Sequence, residues 1–135
     1  MGEIVEEAAQ EEGFAREEYV DFEKLKEKVG RFVRERDWEK YHNPKDLAVA
    51  ISVEAGELLE LFQWMKESEV AKIKENSRLI ESIEGELADI LNFCISMANA
   101  LDLDLGKIVA SKLMEAERKY PKEKYKGAWS KPNSE

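Results

Sequence analysis

Glu54 and Glu57 stand three residues apart, Glu86 and Asp89 stand three residues apart, and twenty-eight residues separate the pairs, giving E-x-x-E followed by E-x-x-D. That spacing places both members of a pair on one face of a helix. In an acidic chain an E-x-x-E is ordinarily a solvated face, and such a face usually carries Lys or Arg four residues on, as Glu27 has Arg31. The residues four beyond Glu54, Glu57, Glu86 and Asp89 are instead Leu58, Leu61, Ile90 and Phe93. Carboxylates among apolar neighbours repel one another and are costly to desolvate unless positive charge arrives from outside. A metal ion is the simplest such charge.

The donor inventory narrows the ion. With one cysteine, Cys94, and one histidine, His42, the chain builds neither an internal disulfide nor a Cys/His zinc site. Four carboxylates select a hard cation, and Mg²⁺ or Mn²⁺ with retained waters suits short Glu/Asp pairs and commonly meets a phosphate. A metal-free aqueous groove with shifted carboxyl pKa values is the other reading of the same four acids.

Charge points the same way. The 135 residues sum to −9, with 43% hydrophobic and 38% charged residues, which is one globular domain and a poor partner for duplex nucleic acid or anionic membrane. Residues 46–65 and 79–106 together hold ten of the thirty acids and none of the twenty-one bases. The negative excess therefore lies in two windows, each centred on one acid pair. No run of eighteen residues lacks charge and the N-terminus is acidic, so the expectation is a cytoplasmic protein with no membrane segment.

The elements that position these acids are helical. Residues 1–18 read as an acidic tail or frayed helix, 19–121 as the domain, and 122–135 as a polar, mildly basic tail. From Asp21, an N-cap, Phe22, Leu25, Val29, Phe32 and Val33 form one apolar stripe of a first helix reaching about Arg36. Asn43-Pro44-Lys45-Asp46 starts a second helix, with Asn43 as cap and Pro44 in the first turn. That helix is expected to run to about Lys66 and, being apolar nearly all round, to be buried on most faces. Residues 67–77 form a short helix or loop, with Ser77 a cap for a third helix over about 79–101.

On the third helix Glu86, Asp89, Asn92, Ser96 and Asn99 fall in one narrow polar stripe of about 140°, at 100° per residue. A fourth helix spans about Leu105 to Lys119 and stops at Tyr120-Pro121. The economical architecture is all-α, an antiparallel four-helix bundle. Two helices apolar nearly all round exceed what one chain covers, so a homodimer or dimer of dimers is expected.

The run Arg36-Asp37-Trp38-Glu39-Lys40-Tyr41-His42-Asn43-Pro44, then Glu54-Ala55-Gly56-Glu57 through Phe62-Gln63-Trp64, then Glu86-Leu87-Ala88-Asp89 and Lys119-Tyr120-Pro121, resembles the MazG-like all-α nucleoside triphosphate pyrophosphohydrolases. It looks most similar to the branch that includes the eukaryotic dCTP enzymes, and the resemblance covers about residues 22–121. It implies hydrolysis of a nucleoside triphosphate to monophosphate and pyrophosphate, with Mg²⁺ on Glu54, Glu57, Glu86 and Asp89 and a glutamate, Glu54 or Glu57, accepting the proton of the attacking water. It also implies Trp38, Trp64 and Phe93 as base-stacking surfaces and Lys112 as a phosphate contact.

Aromatics at helical spacing serve a core as readily as a site, a lone lysine is as readily solvated, and His42 reads first as a helix-entry residue. Relatives place Asn where this chain has Ala116, His at Val29 and Tyr at Phe93. Lys122, Lys124 and Lys126 offer a further basic group that could reach a phosphate.

Two other classes fit less. A carboxylate-bridged di-iron bundle needs two Glu-x-x-His motifs, and Glu39-Lys40-Tyr41-His42 is a single one broken by Asn43-Pro44. A non-enzymatic acidic helical adaptor would hold a basic partner or a structural ion on the same stripes and would turn over no nucleotide.

Overall fold

A computed structural model of the protein describes residues 21–128; the expected N-terminal tail and residues 129–135 lie outside the described residues. Among the described residues six α-helices follow in order: α1 (Phe22–Glu35), α2 (Pro44–Glu60), α3 (Glu67–Val70), α4 (Ser77–Ala100), α5 (Leu105–Lys119) and α6 (Lys122–Tyr125). Two single 3₁₀ turns, Glu39–Tyr41 and Ile73–Glu75, complete the regular structure. Among the described residues the chain has no strand, and no helix is long and apolar enough to cross a membrane. The all-α reading and the order of the four long helices hold.

Local side chains start the helices. The Asp21 carboxylate accepts from the Glu23 N–H at 2.8 Å, Asn43 accepts from Asp46 N–H at 3.0 Å ahead of Pro44, and Asp104 accepts from Lys107 N–H at 3.0 Å. Each satisfies a donor that the first helical turn leaves free. The cap of α4 is Asn76, which accepts from Leu79 N–H at 3.1 Å, and the expected cap Ser77 is already helical.

One other expectation is corrected. Helix α2 ends at Glu60, short of Lys66, because the backbone tightens into three-residue turns: Phe62 N–H donates to the Leu59 carbonyl and Met65 N–H to that of Phe62, both at 3.0 Å. Beyond Pro121 the expected tail opens with α6, whose Tyr125 packs edge-on to Tyr120 at 5.3 Å. On α1 the Arg31 guanidinium sits 3.8 Å from Glu35.

Helix α4 is the hub. Its 24 residues, about 36 Å at 1.5 Å per residue, pack along α2 and also hold α1. Val33 of α1, Leu47 of α2, and Ile95 and Ala98 of α4 form the buried core, with Ile95 and Leu47 almost wholly enclosed. Burying a side chain of that size stabilises the fold by roughly 1.5–3 kcal/mol. The Asn99 side-chain amide adds a polar tie, donating to the Lys26 carbonyl at 3.2 Å.

Among the described residues of one protomer α2 is covered on one side only, contrary to the expectation that most of its faces are buried. Val49, Val53 and Leu59 are 53–63% exposed, because α4 is the one helix packed extensively along α2. Helix α5 has no extensive contact with another described helix and leaves Val109, Leu113 and Met114 exposed.

Candidate functional site

The packing of α2 on α4 brings the acid pairs face to face. One carboxylate oxygen from each of Glu54, Glu57 and Glu86 lies within 4.8 Å of the other two. Glu54 and Glu86 are half-buried, Glu57 is exposed, and the Oε2 atoms of Glu54 and Glu86 are buried with no hydrogen-bond partner. Burial pushes the Glu54 carboxyl from 4.5 up to about 7, aided by hydrogen bonds that its protonated form makes to Glu57 and Glu86 and by repulsion from Glu57 and Asp89. No base occupies the last turn of α2, so Glu57 also faces the negative end of its own helix. This is a donor set of hard oxygens with unfilled acceptor capacity, and it fits a divalent cation.

Asp89 lies outside that tight group of three. It raises the Glu54 pKa by repulsion and lines a neighbouring cavity of about 420 Å³ between α1 and α4. Trp38 and Phe93 are in the wall of this cavity, so three of the residues singled out in the sequence meet there.

The placement of Trp38 comes from a reversal at the end of α1. Asp37 adopts a left-handed φ of 53°, and Trp38 N–H donates back to the Val33 carbonyl at 3.0 Å, a Schellman-type stop. The indole then meets Phe32 edge-on at 5.7 Å.

The sequence reads His42 first as a loop or helix-entry residue, with ligand contact as the lesser option. It sits between the two aromatic walls, 6.5 Å from Trp38 and 6.4 Å from Phe93, and its Nδ1 is buried without a partner. Being the single histidine of the chain, immediately before a helix cap, was the one signal available.

Two residues stand apart from this arrangement. Trp64 lies in the turn after α2 with 83% of its surface exposed and is not in the wall shared by Trp38 and Phe93. Lys112 on α5 spends its ammonium on Glu115 at 2.9 Å, which holds the Glu115 carboxyl below its usual range.

The model of the MazG-like family matches residues 49–132, which include all four acids. The chain belongs to the MazG-like family. It is 38% identical over 90 residues to dCTP pyrophosphatase 1 of Homo sapiens and 36% identical over 90 residues to that of Rattus norvegicus, each match covering 67% of this chain and 53% of the relative. The chain thus spans about half the length of these curated relatives. The crystal structure of a pyrophosphatase from Archaeoglobus fulgidus DSM 4304 superposes with a TM-score of 0.68 at 34% identity, covering 80% of this chain and 99% of that one. The MazG-like chain therefore shares its fold with a solved structure over nearly all of the latter's length.

Proposed function

We propose that this MazG-like chain is a divalent-cation-dependent nucleoside triphosphate pyrophosphohydrolase, converting a ribo- or deoxyribonucleoside triphosphate to the monophosphate and pyrophosphate in cytoplasmic nucleotide-pool house-cleaning. The observation that carries the reading is the convergence of Glu54, Glu57 and Glu86 on one point beside an aromatic-walled cavity that Asp89 also lines. The names of the relatives, dCTP pyrophosphatase 1 and a pyrophosphatase, support the reaction class and make dCTP the first nucleotide to try.

In this reading Glu54, Glu57, Glu86 and Asp89 hold Mg²⁺, with Mn²⁺ as a substitute. When bound, the ion offsets the charge of the triphosphate and lowers the pKa of a water. Glu54, whose carboxyl titrates near neutrality, or Glu57, which stays accessible, takes the proton from the attacking water. Trp38 and Phe93 stack on the base. Trp64, exposed on one protomer, and Lys112, if released from Glu115, act on the substrate from outside this cavity.

The protein is further proposed to act as a homodimer or dimer of dimers. Leu87 and Leu91 on α4, with Val49, Val53 and Leu59 on α2, present apolar surface that one protomer leaves uncovered.

A panel of ribo-, deoxyribo- and modified triphosphates with Mg²⁺, scored for pyrophosphate against orthophosphate, tests the activity. Orthophosphate as the sole product, or full activity in Glu57→Ala and Asp89→Ala, would refute it.

A further inference from the structure

The polar stripe of α4 does more than supply acids. Of its five members, Glu86 belongs to the tight carboxylate group and Asp89 lies beside it. Asn99, at the far end, spends its amide on the Lys26 carbonyl and ties α4 to α1. Asn92 and Ser96 remain, on an otherwise apolar helix, and both line the cavity that Trp38, Phe93 and Asp89 enclose.

Ser96 is the more telling of the two. Its side chain sits on the core face with 7% of the residue exposed, and its hydroxyl makes no hydrogen bond among the described residues. Although the residue is largely enclosed, its Oγ is not one of the buried unpartnered atoms, so the hydroxyl stays open to the cavity and free to bond what enters it. His42, another residue of this wall, has a buried and unpartnered Nδ1. A hydroxyl with no partner among the described residues, open to a cavity with aromatic walls, leaves its hydrogen bond to a ligand that enters.

Position along the helix says which part of the ligand. Asn92 lies about 4.5 Å and Ser96 about 10.5 Å beyond Asp89 along the α4 axis, at 1.5 Å per residue. A triphosphate held at the acids extends its nucleoside down this same face. The rings of Trp38 and Phe93 supply flat apolar walls, and a carboxamide and a hydroxyl supply the few directed hydrogen bonds that fix orientation in such pockets.

We propose that Asn92 and Ser96 are specificity-determining residues that hydrogen-bond the polar edge of the nucleobase, an inference that rests on the triphosphate reading above. A pocket built to hydrogen-bond its substrate discriminates strongly against analogues that cannot pair with it, which apolar walls alone do not achieve.

The test compares kcat/KM for the four deoxyribonucleoside triphosphates in wild type, Asn92→Leu, Ser96→Ala and the double variant. The fold tolerates both changes: Asn92 is exposed on α4 and Ala is smaller than Ser. The double variant is expected to raise KM for the preferred nucleotide at least tenfold and to shrink the preference over the poorest one at least tenfold. Its kcat should stay within about threefold, and the Mg²⁺ concentration for half-activation should not move. Ser96→Ala should melt no lower than wild type without nucleotide. Retention of the wild-type ranking within twofold in the double variant overturns the inference alone. A wild-type protein that hydrolyses no triphosphate overturns this inference and the proposed function together.

Discussion

Glu54 on α2 and Glu86 on α4 each turn one carboxylate oxygen, Oε2, into a buried position where it accepts no hydrogen bond, and one oxygen of each lies within 4.8 Å of the other. Two facing acids in that state cannot both be comfortably ionised. Burial is the largest reason that the Glu54 carboxyl titrates near neutrality, and its hydrogen bonds to Glu57 and Glu86 and repulsion from Glu57 and Asp89 add to it.

The first prediction concerns pH. The native protein keeps Glu54 protonated up to about 7, whereas the unfolded chain ionises it near 4.5. Native Glu54 thus binds more protons than unfolded Glu54 between those values, so its contribution to stability is complete below pH 4.5 and is lost as pH rises through 7. In EDTA, the Tm of wild type should fall relative to Glu54→Gln between pH 5 and 8. Added Mg²⁺ selects the ionised form, so the Tm increment from Mg²⁺ should grow over the same range. Parallel pH profiles for the two proteins in EDTA, or an increment that shrinks with pH, would contradict this.

A second prediction concerns the aromatic wall. If a base stacks against Trp38, removing the indole forfeits roughly 1–3 kcal/mol of binding. Trp38→Ala should then raise KM roughly five- to hundredfold while leaving kcat near wild type, and Trp38→Phe should recover most of the loss. Steady-state kinetics on the preferred nucleotide decide it. A fall in kcat with KM unchanged would place Trp38 in the fold alone.

Much of this geometry could be read from the residues because its causes are local. Asp21, Asn43 and Asp104 announce helix starts through side chains that reach their own backbone, and Tyr120-Pro121 announces a stop through a missing donor. The acid pairs were legible because the bases that normally follow four residues on are absent. The end of α2 at Glu60 was not, since the sequence from Leu61 to Met65 has no Gly or Pro and is apolar but for Gln63 while the backbone tightens. The place of His42 was hidden for a different reason: its neighbour Phe93 arrives from α4, and only tertiary packing sets that meeting. Spacing likewise puts Asp89 on the face of Glu86 without saying that the close group would be three acids.

The turn before Trp38 supplies a third prediction. A left-handed φ of 53° is tolerable for Asp, easy for Gly and strained for a β-branched residue. Asp37→Val should therefore lower unfolding stability by about 1–3 kcal/mol, and Asp37→Gly by far less. The ion pair of Asp37 with Lys40 at 2.9 Å is exposed, so its loss in both variants costs little. Because the same reversal delivers Trp38 to the cavity, Asp37→Val should also raise KM where Asp37→Gly does not. Urea midpoints and KM values for the pair provide the check, and an Asp37→Val protein as stable as Asp37→Gly would remove the argument.

The uncovered apolar faces lead to the fourth. Val109, Leu113 and Met114 on α5 are 58–62% exposed, and leucines and valines of α2 and α4 are similarly open. Apolar burial contributes about 25 cal/mol per Å², and a stable interface needs about 800 Å² from each partner. Surface of this kind, spread over three long helices, offers the material for such an interface, whereas on a monomer it would favour aggregation. Wild type should sediment as a dimer or tetramer at micromolar concentration. Leu113→Glu puts a charge where a partner would bury it, and should shift the protein toward monomer and lower its Tm. In a monomeric protein the same substitution, at a site 62% exposed, would leave both within error. A wild-type protein that sediments only as monomer, with Leu113→Glu indistinguishable from it, would rule out the homo-oligomer.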